Sequence, residues 1–597
     1  MVTYHAPLAD FHFVLDEFLE IDRYRELSGF GELTPELRAD FLAGAAKICE
    51  ETLLPLNASG DRTGCQFQNG RVFTPTKFAD AYRAFVAGGW TTVSFDPAYD
   101  GQGLAYVISV PLKEMLVSAN MAFSGYIDIT QAAATCLATH ATSDQKRRYL
   151  SKLIAGEWAG AMHLTEAHAG SDLGLMRTRA EPSEDGPYRL YGSKIFITGA
   201  DHDLTENIVS LVLARLPGAP QGARGLSLFI VPSVLVDAQG RLAARNALQV
   251  VSIEEKMGIH ASPTCAVVYE GAVGELVGEP HRGLAVMFTM LNQTRLGVAL
   301  QGLGISEIAW QNAFAYVRER RQGRRPGAAA SSNGAADLIV EHPDIRRMLL
   351  TIKAFNEAAR ALALWCGLQI DLARSHPDAA IRLQSANLMA LLTPALKAYN
   401  TDRGFENANL AMQCFGGHGY IVDTGVEQFV RDIRVAQIYE GTNGIQALEL
   451  AQRQLGLDDG KTLQHLFGLM RSRLSEAHAV GLADYADVLE VALNELIATA
   501  DWIGSRRITA ARDVAAGASD FLRLFALTVM GWTWTGLAIS ALRCEKRGGD
   551  ARFCREKIAT GRFFMARLAA EAGMYAKTAM LGGETLDNVF ALAKGQS

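Results

Sequence analysis

The sequence predicts an α+β protein with an N-terminal helical domain, a middle β-barrel-like domain, a helical bundle and an additional C-terminal helical domain. Two observations support this class. Apolar residues recur at helical spacing up to about residue 156 and again after Gly283, whereas short β-rich runs fill the region between them. With 597 residues, the chain is also too long for one hydrophobic core. We place the domains at residues 1–159, 160–284, 285–456 and 457–597.

Helix signals dominate the first domain. Thr34-Pro35 is a typical helix start, because a proline at the first helical position needs no N–H. KFADAYRAFVAGGW and ATSDQKRRYLSKLIAGEW have apolar residues on one helical face, and Ser143 is the candidate cap of the second segment. The first domain is therefore predicted to be α-helical.

The later domains follow from a change of period. YRLYGSKIFITGA, NIVSLVLARL, GLSLFIVPSVL and CAVVYEGAVGELVG are β-rich runs separated by Gly, Pro and Asp. Helical spacing then returns, and the low-complexity stretch GRRPGAAASSNGAAD interrupts it as a predicted surface loop. The last region has Ala-rich helical faces, which indicates an added helical domain.

Composition and cysteine spacing argue against nucleic-acid binding and metal binding. A net charge of -7 leaves no basic excess for phosphate backbones, so we expect no nucleic-acid partner. The eight cysteines are scattered without a C-x-x-C pair, and the spacing of His163, Glu166 and His168 differs from known zinc motifs, so we expect no metal. The N-terminus has neither a secretory nor a transit pattern, which predicts a cytoplasmic protein.

One uncharged segment approaches the length of a membrane span. It covers the 19 residues from Leu524 to Leu542. Its four hydroxyl side chains and two glycines favour a buried helix of the C-terminal region. We therefore expect no integral membrane span, and peripheral contact with a membrane stays open.

Two distant segments carry the chemical signal. MHLTEAHAGSDLGLMRTRA spans residues 162–180, and QCFGGHGYIVDTGVEQFVRDIRVAQIYEGTNGIQALEL spans residues 413–450. Together they resemble the acyl-CoA dehydrogenase family. The first segment has the family's L-T-E-P-x-A-G-S-D signature with Ala167 in place of proline, and the second has its Y-E-G-T-x-x-I-Q from Tyr439 to Gln446.

Further matches extend the resemblance over about residues 80 to 456. They include Gly101-Gln102-Gly103-Leu104 and Glu255-Lys256-Met257-Gly258-Ile259. The length and the added C-terminal domain resemble a bacterial subgroup that includes 3-methylmercaptopropionyl-CoA dehydrogenases and broad fatty acyl-CoA dehydrogenases.

Glu440 stands at the position of the family's catalytic base. The resemblance implies that its carboxylate removes the α-proton of a fatty acyl-CoA while the β-hydrogen leaves as hydride to flavin N5, giving a trans-2-enoyl-CoA. Burial would raise the pKa of this glutamate toward the operating pH, where general-base catalysis works best. The alternative is that Glu440 caps the following helix, since carboxylates stabilise helix N-termini.

The resemblance implies that FAD is the cofactor and is shared between two subunits, so we expect a homodimer. The resemblance further implies that Thr198 donates toward flavin N5 and that Arg320 reaches the pyrophosphate of the neighbouring subunit's flavin. Phe196 stands where the family has a tryptophan beside the flavin ring. The alternatives are that these hydroxyls satisfy local backbone groups and that Arg320 is a solvated surface residue. The implied cofactor contacts are Met162, Leu164, Thr165, Gly170, Ser171, Phe196, Thr198, Arg320, Gln413, Gly416, Gly417, Thr442 and Asn443.

The resemblance also implies an acyl-CoA substrate and electron transfer flavoprotein as the electron acceptor. Arg295 can pair with a phosphate of CoA or stack on its adenine, but an internal salt bridge explains this arginine equally well on chemistry alone. The implied substrate contacts are Ser171, Asn292, Arg295, Tyr439 and Gly441.

Fatty acyl-CoA dehydrogenation, as in β-oxidation, is the function that the resemblance favours. Within enzymes, the alternatives are a 3-methylmercaptopropionyl-CoA dehydrogenase and an acyl-CoA oxidase, which oxygen would reoxidise. In another class, one branch with these motifs contains flavin-bearing DNA-associated proteins with a basic C-terminal region. Here the local run KRGGDARFCREK is balanced by neighbouring acids, which argues against that branch.

Overall fold

The computed structural model describes residues 2–184, 186–327 and 336–588. Residues 328–335, the centre of the predicted low-complexity loop, lie outside the described residues. The chain divides into two compact units. The bundle unit contains Met1–Asp40, Tyr106–Glu114 and Val298–Ser597, and the sheet unit contains Phe41–Ala105 and Met115–Gly297.

The order of helices and strands confirms the predicted fold class: helices come first, strands follow, and helices complete the chain. The α-helices are α1 (Leu8–His12), α2 (Pro35–Lys47), α3 (Leu54–Thr63), α4 (Phe78–Ala87), α5 (Ser109–His140), α6 (Ser143–Ala155), α7 (Gly283–Val317), α8 (Pro343–Ser375), α9 (Ala379–Cys414), α10 (Glu427–Ile433), α11 (Asn443–Gln452), α12 (Lys461–Ala479), α13 (Ala483–Arg506), α14 (Ala511–Lys546), α15 (Ala551–Phe563) and α16 (Ala572–Ala579). The strands are β1 (Gln66–Gln68), β2 (Arg71–Phe73), β3 (Ala159–His163), β4 (Arg179–Pro182), β5 (Tyr188–Thr198), β6 (Ile208–Arg215), β7 (Leu226–Pro232), β8 (Val234–Val236), β9 (Leu242–Arg245), β10 (Leu248–Ile253) and β11 (Thr264–Val277).

Two local predictions in the first domain need correction. Thr142, not Ser143, caps α6: its Oγ1 accepts from the Gln145 N–H at 3.2 Å, while the Gln145 side chain accepts from the Thr142 N–H at 3.0 Å. This reciprocal pair is a capping box. The domain also contains the hairpin β1–β2, because Asn69 and Gly70 both adopt positive φ, at 52° and 75°, and suit a two-residue turn.

The sheet unit is built around seven strands. Their order is β10-β11-β5-β4-β6-β3, and β7 pairs with both β11 and β6, which closes a barrel-like ring. Both faces of the sheet are covered. Along β6, Leu211 and Leu213 pack with the helices, whereas Val212 and Ala214 pack with β5 and β11. This alternation explains why the strand sequence reads as a continuous apolar run.

The uncharged segment predicted to be a buried helix lies inside α14. This helix is long and apolar enough to cross a membrane, but its most apolar stretch is completely buried by the rest of the protein. The hydroxyls of Thr528, Thr533 and Thr535 donate to carbonyls of their own helix. Trp534 donates from Nε1 to the Ala354 carbonyl of α8 at 2.9 Å. α14 is therefore a core helix of the bundle unit, as predicted.

A buried ion cluster joins distant parts of the bundle unit. Arg360 of α8 is 2% exposed and contacts three carboxylates: Asp10 at 2.6 Å, Glu307 at 3.0 Å and Glu114 at 2.9 Å. Lys557 of α15 pairs with Asp10 and, at 2.7 Å, with Glu357. Because burial makes unpaired charges costly, this cluster depends on all its members being present.

The buried carboxyl of Glu114 makes stability depend on pH. Burial raises the pKa of Glu114 from 4.5 to about 7, although Arg360 opposes this shift. A carboxyl with a raised pKa in the folded state stabilises the protein below about pH 4.5 and loses that contribution as the pH rises through about 7. We therefore expect the free energy of unfolding of Glu114→Gln, relative to that of the wild type, to increase as the pH rises from 5 to 8.

Urea unfolding followed by circular dichroism at several pH values measures this difference. Comparing the two proteins at each pH cancels the titration of all other groups. A constant difference across the range would show that Glu114 does not titrate there.

Candidate active site

The proposed flavin contacts of the sheet unit meet at an irregular end of β5. The register between β5 and β11 shifts by one residue between Lys194 and Ile197. Phe196 lies in this bulge with φ of 58° and is 59% exposed, which is unusual for a large apolar side chain. The bulge turns the ring out of the sheet core.

The segment after β3 lies beside this bulge. The Ile195 N–H donates to the Thr165 carbonyl at 2.9 Å, so Thr165 and Phe196 are brought together. A Cβ at Gly170 would come within 3.6 Å of the Thr165 methyl. Met162 and Leu164 pack their side chains against the core, whereas Ser171 is exposed.

A buried ion pair supports the same segment. Lys194 Nζ lies 2.9 Å from Glu166 Oε1, and the Glu166 carboxylate also accepts from the backbone N–H groups of Arg177 and Thr178 at 2.7 and 2.9 Å. Burial alone would raise the pKa of Glu166, but Lys194 and these N–H groups lower it. Glu166 is therefore held as a carboxylate.

The two histidines next to Glu166 differ in their contacts, and His168 Nε2 lies 3.6 Å from the Glu166 carboxylate. His163 is fully buried and its Nδ1 bonds to the Tyr269 hydroxyl, and burial lowers its pKa to about 3. His168 Nε2 lies 3.1 Å from the Leu175 carbonyl. Across residues 2–184, 186–327 and 336–588, no group of three or more His, Cys, Asp or Glu side chains is arranged to hold a metal ion.

In the bundle unit, Glu440 lies in a strained turn before α11. Its φ is 57° and that of Gly441 is 85°, so two successive residues adopt the left-handed conformation. This conformation costs a non-glycine residue on the order of 1–2 kcal/mol. Glu440 is half-buried rather than fully buried, because it lies in a turn between helical segments. Thr442, not Glu440, is the N-cap of α11, and its Oγ1 accepts from the Ile445 N–H at 3.3 Å.

Buried polar side chains hold this turn. Lys397 of α9 donates to the Gly441 carbonyl at 2.8 Å and to Asn443 Oδ1 at 2.9 Å. Asn443 Nδ2 donates to Thr401 Oγ1 and to Asp402 at 3.0 and 2.7 Å. Gln446 donates to the Glu440 carbonyl at 3.1 Å. The Asn443 side-chain amide thus forms hydrogen bonds within its own unit and supports the turn.

The proposed contacts of the bundle unit with a neighbouring flavin lie close together. Phe415 stacks on Tyr316 with ring centroids 4.3 Å apart, and the Tyr316 hydroxyl lies 3.1 Å from His418 Nδ1. The exposed loop of Gln413, Gly416 and Gly417 therefore adjoins the end of α7, where the Arg320 N–H donates to the Tyr316 carbonyl.

The proposed substrate contacts fall in both units. Asn292 is exposed on α7, whereas Arg295 is buried, with its guanidinium 5.9 Å from the centre of the Phe288 ring. In the bundle unit, the Tyr439 hydroxyl donates to Gln301 Oε1, which fixes the residue before Glu440.

These residues suit FAD. An isoalloxazine has apolar faces and polar edges, and the sheet unit offers the exposed ring of Phe196 and, in the same two segments around β3 and β5, the hydroxyl side chains of Thr165, Ser171 and Thr198. Among residues that the structure describes, none binds these three hydroxyls or pairs with the Arg320 guanidinium. Arginine recognises phosphate by paired N–H donors, so Arg320 suits the pyrophosphate.

Comparison with known proteins identifies the class. Models of the acyl-CoA dehydrogenase N-terminal, middle and C-terminal domains match residues 35–157, 161–272 and 281–455. A model described as acetyl-CoA dehydrogenase C-terminal like matches residues 466–588. The chain belongs to the acyl-CoA dehydrogenase family, and it is an FAD-dependent oxidoreductase that acts on the CH–CH bond of an acyl-CoA.

Individual relatives are similar to the chain over nearly its whole length. The chain is 39% identical to the 3-methylmercaptopropionyl-CoA dehydrogenase of Ruegeria pomeroyi, over 96% of this chain and 97% of the relative. It is 30% identical to the broad-specificity linear acyl-CoA dehydrogenase FadE5 of Mycobacterium tuberculosis, over 94% and 95%. The solved acyl-CoA dehydrogenase of Bacillus anthracis complexed with FAD has the same fold, with a TM-score of 0.73 at 19% identity over 97% of this chain and 94% of that one.

Proposed function

We propose that the enzyme dehydrogenates a fatty acyl-CoA to the trans-2-enoyl-CoA, with Glu440 as the base that removes the α-proton. The observation that carries this proposal is the turn at Glu440. Left-handed backbone at a non-glycine residue persists only where surrounding structure imposes it. Here the carbonyls of Glu440 and Gly441 are held by Gln446 and Lys397, while helix capping is left to Thr442.

The proposed chemistry divides between the chain and its cofactor. FAD, when bound, supplies the two-electron acceptor that takes the β-hydrogen as hydride at N5. The Glu440 carboxylate takes the α-proton, and its backbone N–H is proposed to stabilise the negative charge on the thioester oxygen. Such donors act strongly because they are already in place when the charge develops.

The relative from Ruegeria pomeroyi supports 3-methylmercaptopropionyl-CoA as a second candidate substrate. Its acyl group has the shape of pentanoyl, with sulfur in place of the γ-methylene. A pocket usually distinguishes substrates that differ by one methylene by only about 1–3 kcal/mol. The two substrates are therefore best compared directly.

Anaerobic mixing of the FAD-loaded enzyme with each acyl-CoA tests the proposal. Butanoyl-, pentanoyl-, octanoyl-, palmitoyl- and 3-methylmercaptopropionyl-CoA would be compared by the rate of flavin bleaching. We expect bleaching by straight-chain acyl-CoAs and formation of the trans-2-enoyl product. Bleaching by the methylthio substrate alone would transfer the assignment to the second candidate, and no bleaching by any of them would refute both.

The bleached enzyme from this experiment can also be used to identify the electron acceptor. We propose electron transfer flavoprotein as the acceptor, so it should reoxidise the bleached enzyme much faster than air does. Fast reoxidation by oxygen would instead identify an acyl-CoA oxidase.

Assembly as a homodimer and a cytoplasmic location complete the proposal. Tyr420, Ile421 and Val422 follow the Gly416-Gly417 loop and are 81%, 53% and 61% exposed, which supports coverage of this loop by a second subunit. All eight cysteines are free thiols, which suits a reducing compartment.

A further inference from the structure

We propose that Lys194 is a positioning residue for FAD: its buried ammonium fixes the backbone of residues 164–171 and thereby the groups that receive the cofactor. The inference rests on the proposal that this segment holds FAD, and it does not depend on the role of Glu440. Nothing in the family signature around residues 162–180 includes Lys194, since it belongs to the GSKIFIT run of β5.

The contacts of Lys194 converge on one short stretch. Its side chain is completely buried, and Nζ donates to the Leu164 carbonyl and to Glu166 Oε1, both at 2.9 Å. The two acceptors lie on either side of Thr165, whose hydroxyl is a proposed flavin contact. The Lys194 ammonium therefore constrains the residues before and after Thr165.

Glu166 extends this constraint toward Ser171. Its backbone N–H donates to the Ala169 carbonyl at 2.9 Å, and the Ala169 N–H donates back at 3.0 Å. These reciprocal bonds close a tight turn that leads directly into Gly170 and Ser171. Lys194 therefore binds the side chain of the residue at which this turn begins, Glu166.

The chain on the other side of Lys194 presents the aromatic contact. Ile195 donates its N–H to the Thr165 carbonyl, and Phe196 follows in the bulge with its ring exposed. Residues 194, 195 and 196 in succession bind Glu166, bind Thr165 and offer the ring. Lys194 therefore fixes the position of the Phe196 ring relative to the segment that carries the Thr165 and Ser171 hydroxyls.

A lysine that only stabilised the sheet unit would have a different effect from one that positions the cofactor. The unit contains a suitable comparison: Arg148 is mostly buried and pairs with Glu275 at 2.5 Å, away from residues 164–171. Breaking either ion pair should destabilise the unit, because in each a carboxylate that is mostly shielded from solvent loses its partner. Only the loss of Lys194 should weaken binding of FAD.

Titration of apoprotein with FAD, followed by flavin fluorescence, tests this inference on Lys194→Met and Arg148→Met. Residues that orient metal ligands typically change metal affinity by about 10- to 100-fold, and we expect the FAD Kd of Lys194→Met to rise by a comparable factor. Arg148→Met should keep the Kd of the wild type within about twofold. Thermal unfolding of each apoprotein provides the comparison of stability.

Two further variants sharpen the test. Lys194→Arg retains the charge and should recover part of the affinity. The double variant Lys194→Met, Glu166→Gln should bind FAD no more weakly than Lys194→Met, because both residues act through the same turn. If Lys194→Met does not fold, Glu166→Gln alone carries the test, with an expected rise in Kd of about tenfold.

An unchanged Kd in a folded Lys194→Met, or in Glu166→Gln where it carries the test, would overturn the inference. An equal rise in Arg148→Met would also overturn it, since the effect would then follow general stability. Failure of the wild-type apoprotein to bind FAD would instead refute the assignment of the site, and loss of activity in a Glu440 variant bears on neither result.

Discussion

Glu440→Gln should retain FAD and acyl-CoA but lose turnover, with kcat reduced by about 10³-fold or more. Glutamine has almost the same shape as glutamate, and its amide cannot take up the α-proton at neutral pH. The turn should survive the change, because Lys397 and Gln446 hold it through the backbone carbonyls of Gly441 and Glu440. Loss of the base is therefore separated from loss of structure.

Steady-state kinetics and flavin absorbance measure the two effects. The KM for acyl-CoA and the FAD content should stay near the wild-type values, while kcat falls. Glu449→Gln is the matched control: Glu449 is a half-buried glutamate on α11 whose carboxylate accepts from Gln454 at 3.2 Å. This control should keep kcat within about twofold. Normal turnover in Glu440→Gln would remove Glu440 as the base.

The sequence was sufficient for the fold class and for recognising the family motif that contains Glu440. Helical and β periodicity reflect which face of each element is buried, and this information is local. The motifs are also local strings, so Tyr439 to Gln446 could be recognised without coordinates. Their supporting contacts could not, because Lys397 reaches the turn from α9, 44 residues away from Gly441.

The sequence does contain local signals for the two features of the first domain that were predicted wrongly, the β1–β2 hairpin and the cap of α6. Asn69-Gly70 between QFQ and RVF is a strong hairpin signal, and Thr142 with Gln145 three residues later has the spacing of a capping box. Serine at residue 143 is also a residue type that caps helices well, and only the hydrogen bonds show that Thr142 is the cap. Such one-residue ambiguities are common at helix ends.

The buried ion cluster illustrates what no local pattern contains. Arg360 meets Asp10 across 350 residues and Glu114 across 246 residues, and Lys557 meets Asp10 across 547 residues. Each of these side chains, taken from the sequence, resembles an ordinary surface charge. Their burial follows from how α1, α5, α7, α8 and α15 pack, which is determined by the whole bundle unit.

Arg360→Met should reduce the free energy of unfolding by about 3–5 kcal/mol, because it leaves three buried carboxylates without their common partner. Burial alone would raise the pKa of Asp10, yet Lys557 and Arg360 lower it to about 2. Without the guanidinium, the pKa values of Asp10 and Glu114 should both rise, because Arg360 lowers each of them. The destabilisation should therefore be smaller at pH 5 than at pH 8, since protonation removes the buried charge.

Urea unfolding at both pH values measures this loss, with Arg562→Met as the control. Arg562 is 57% exposed and pairs with Asp484 at 2.7 Å, so its replacement should cost less than about 1 kcal/mol at either pH. Adding Glu114→Gln to Arg360→Met should recover part of the loss, because one uncompensated carboxylate is removed. A pH-independent loss without this recovery would mean that Arg360 stabilises the bundle unit through packing, against Phe11 for example, rather than through its charge.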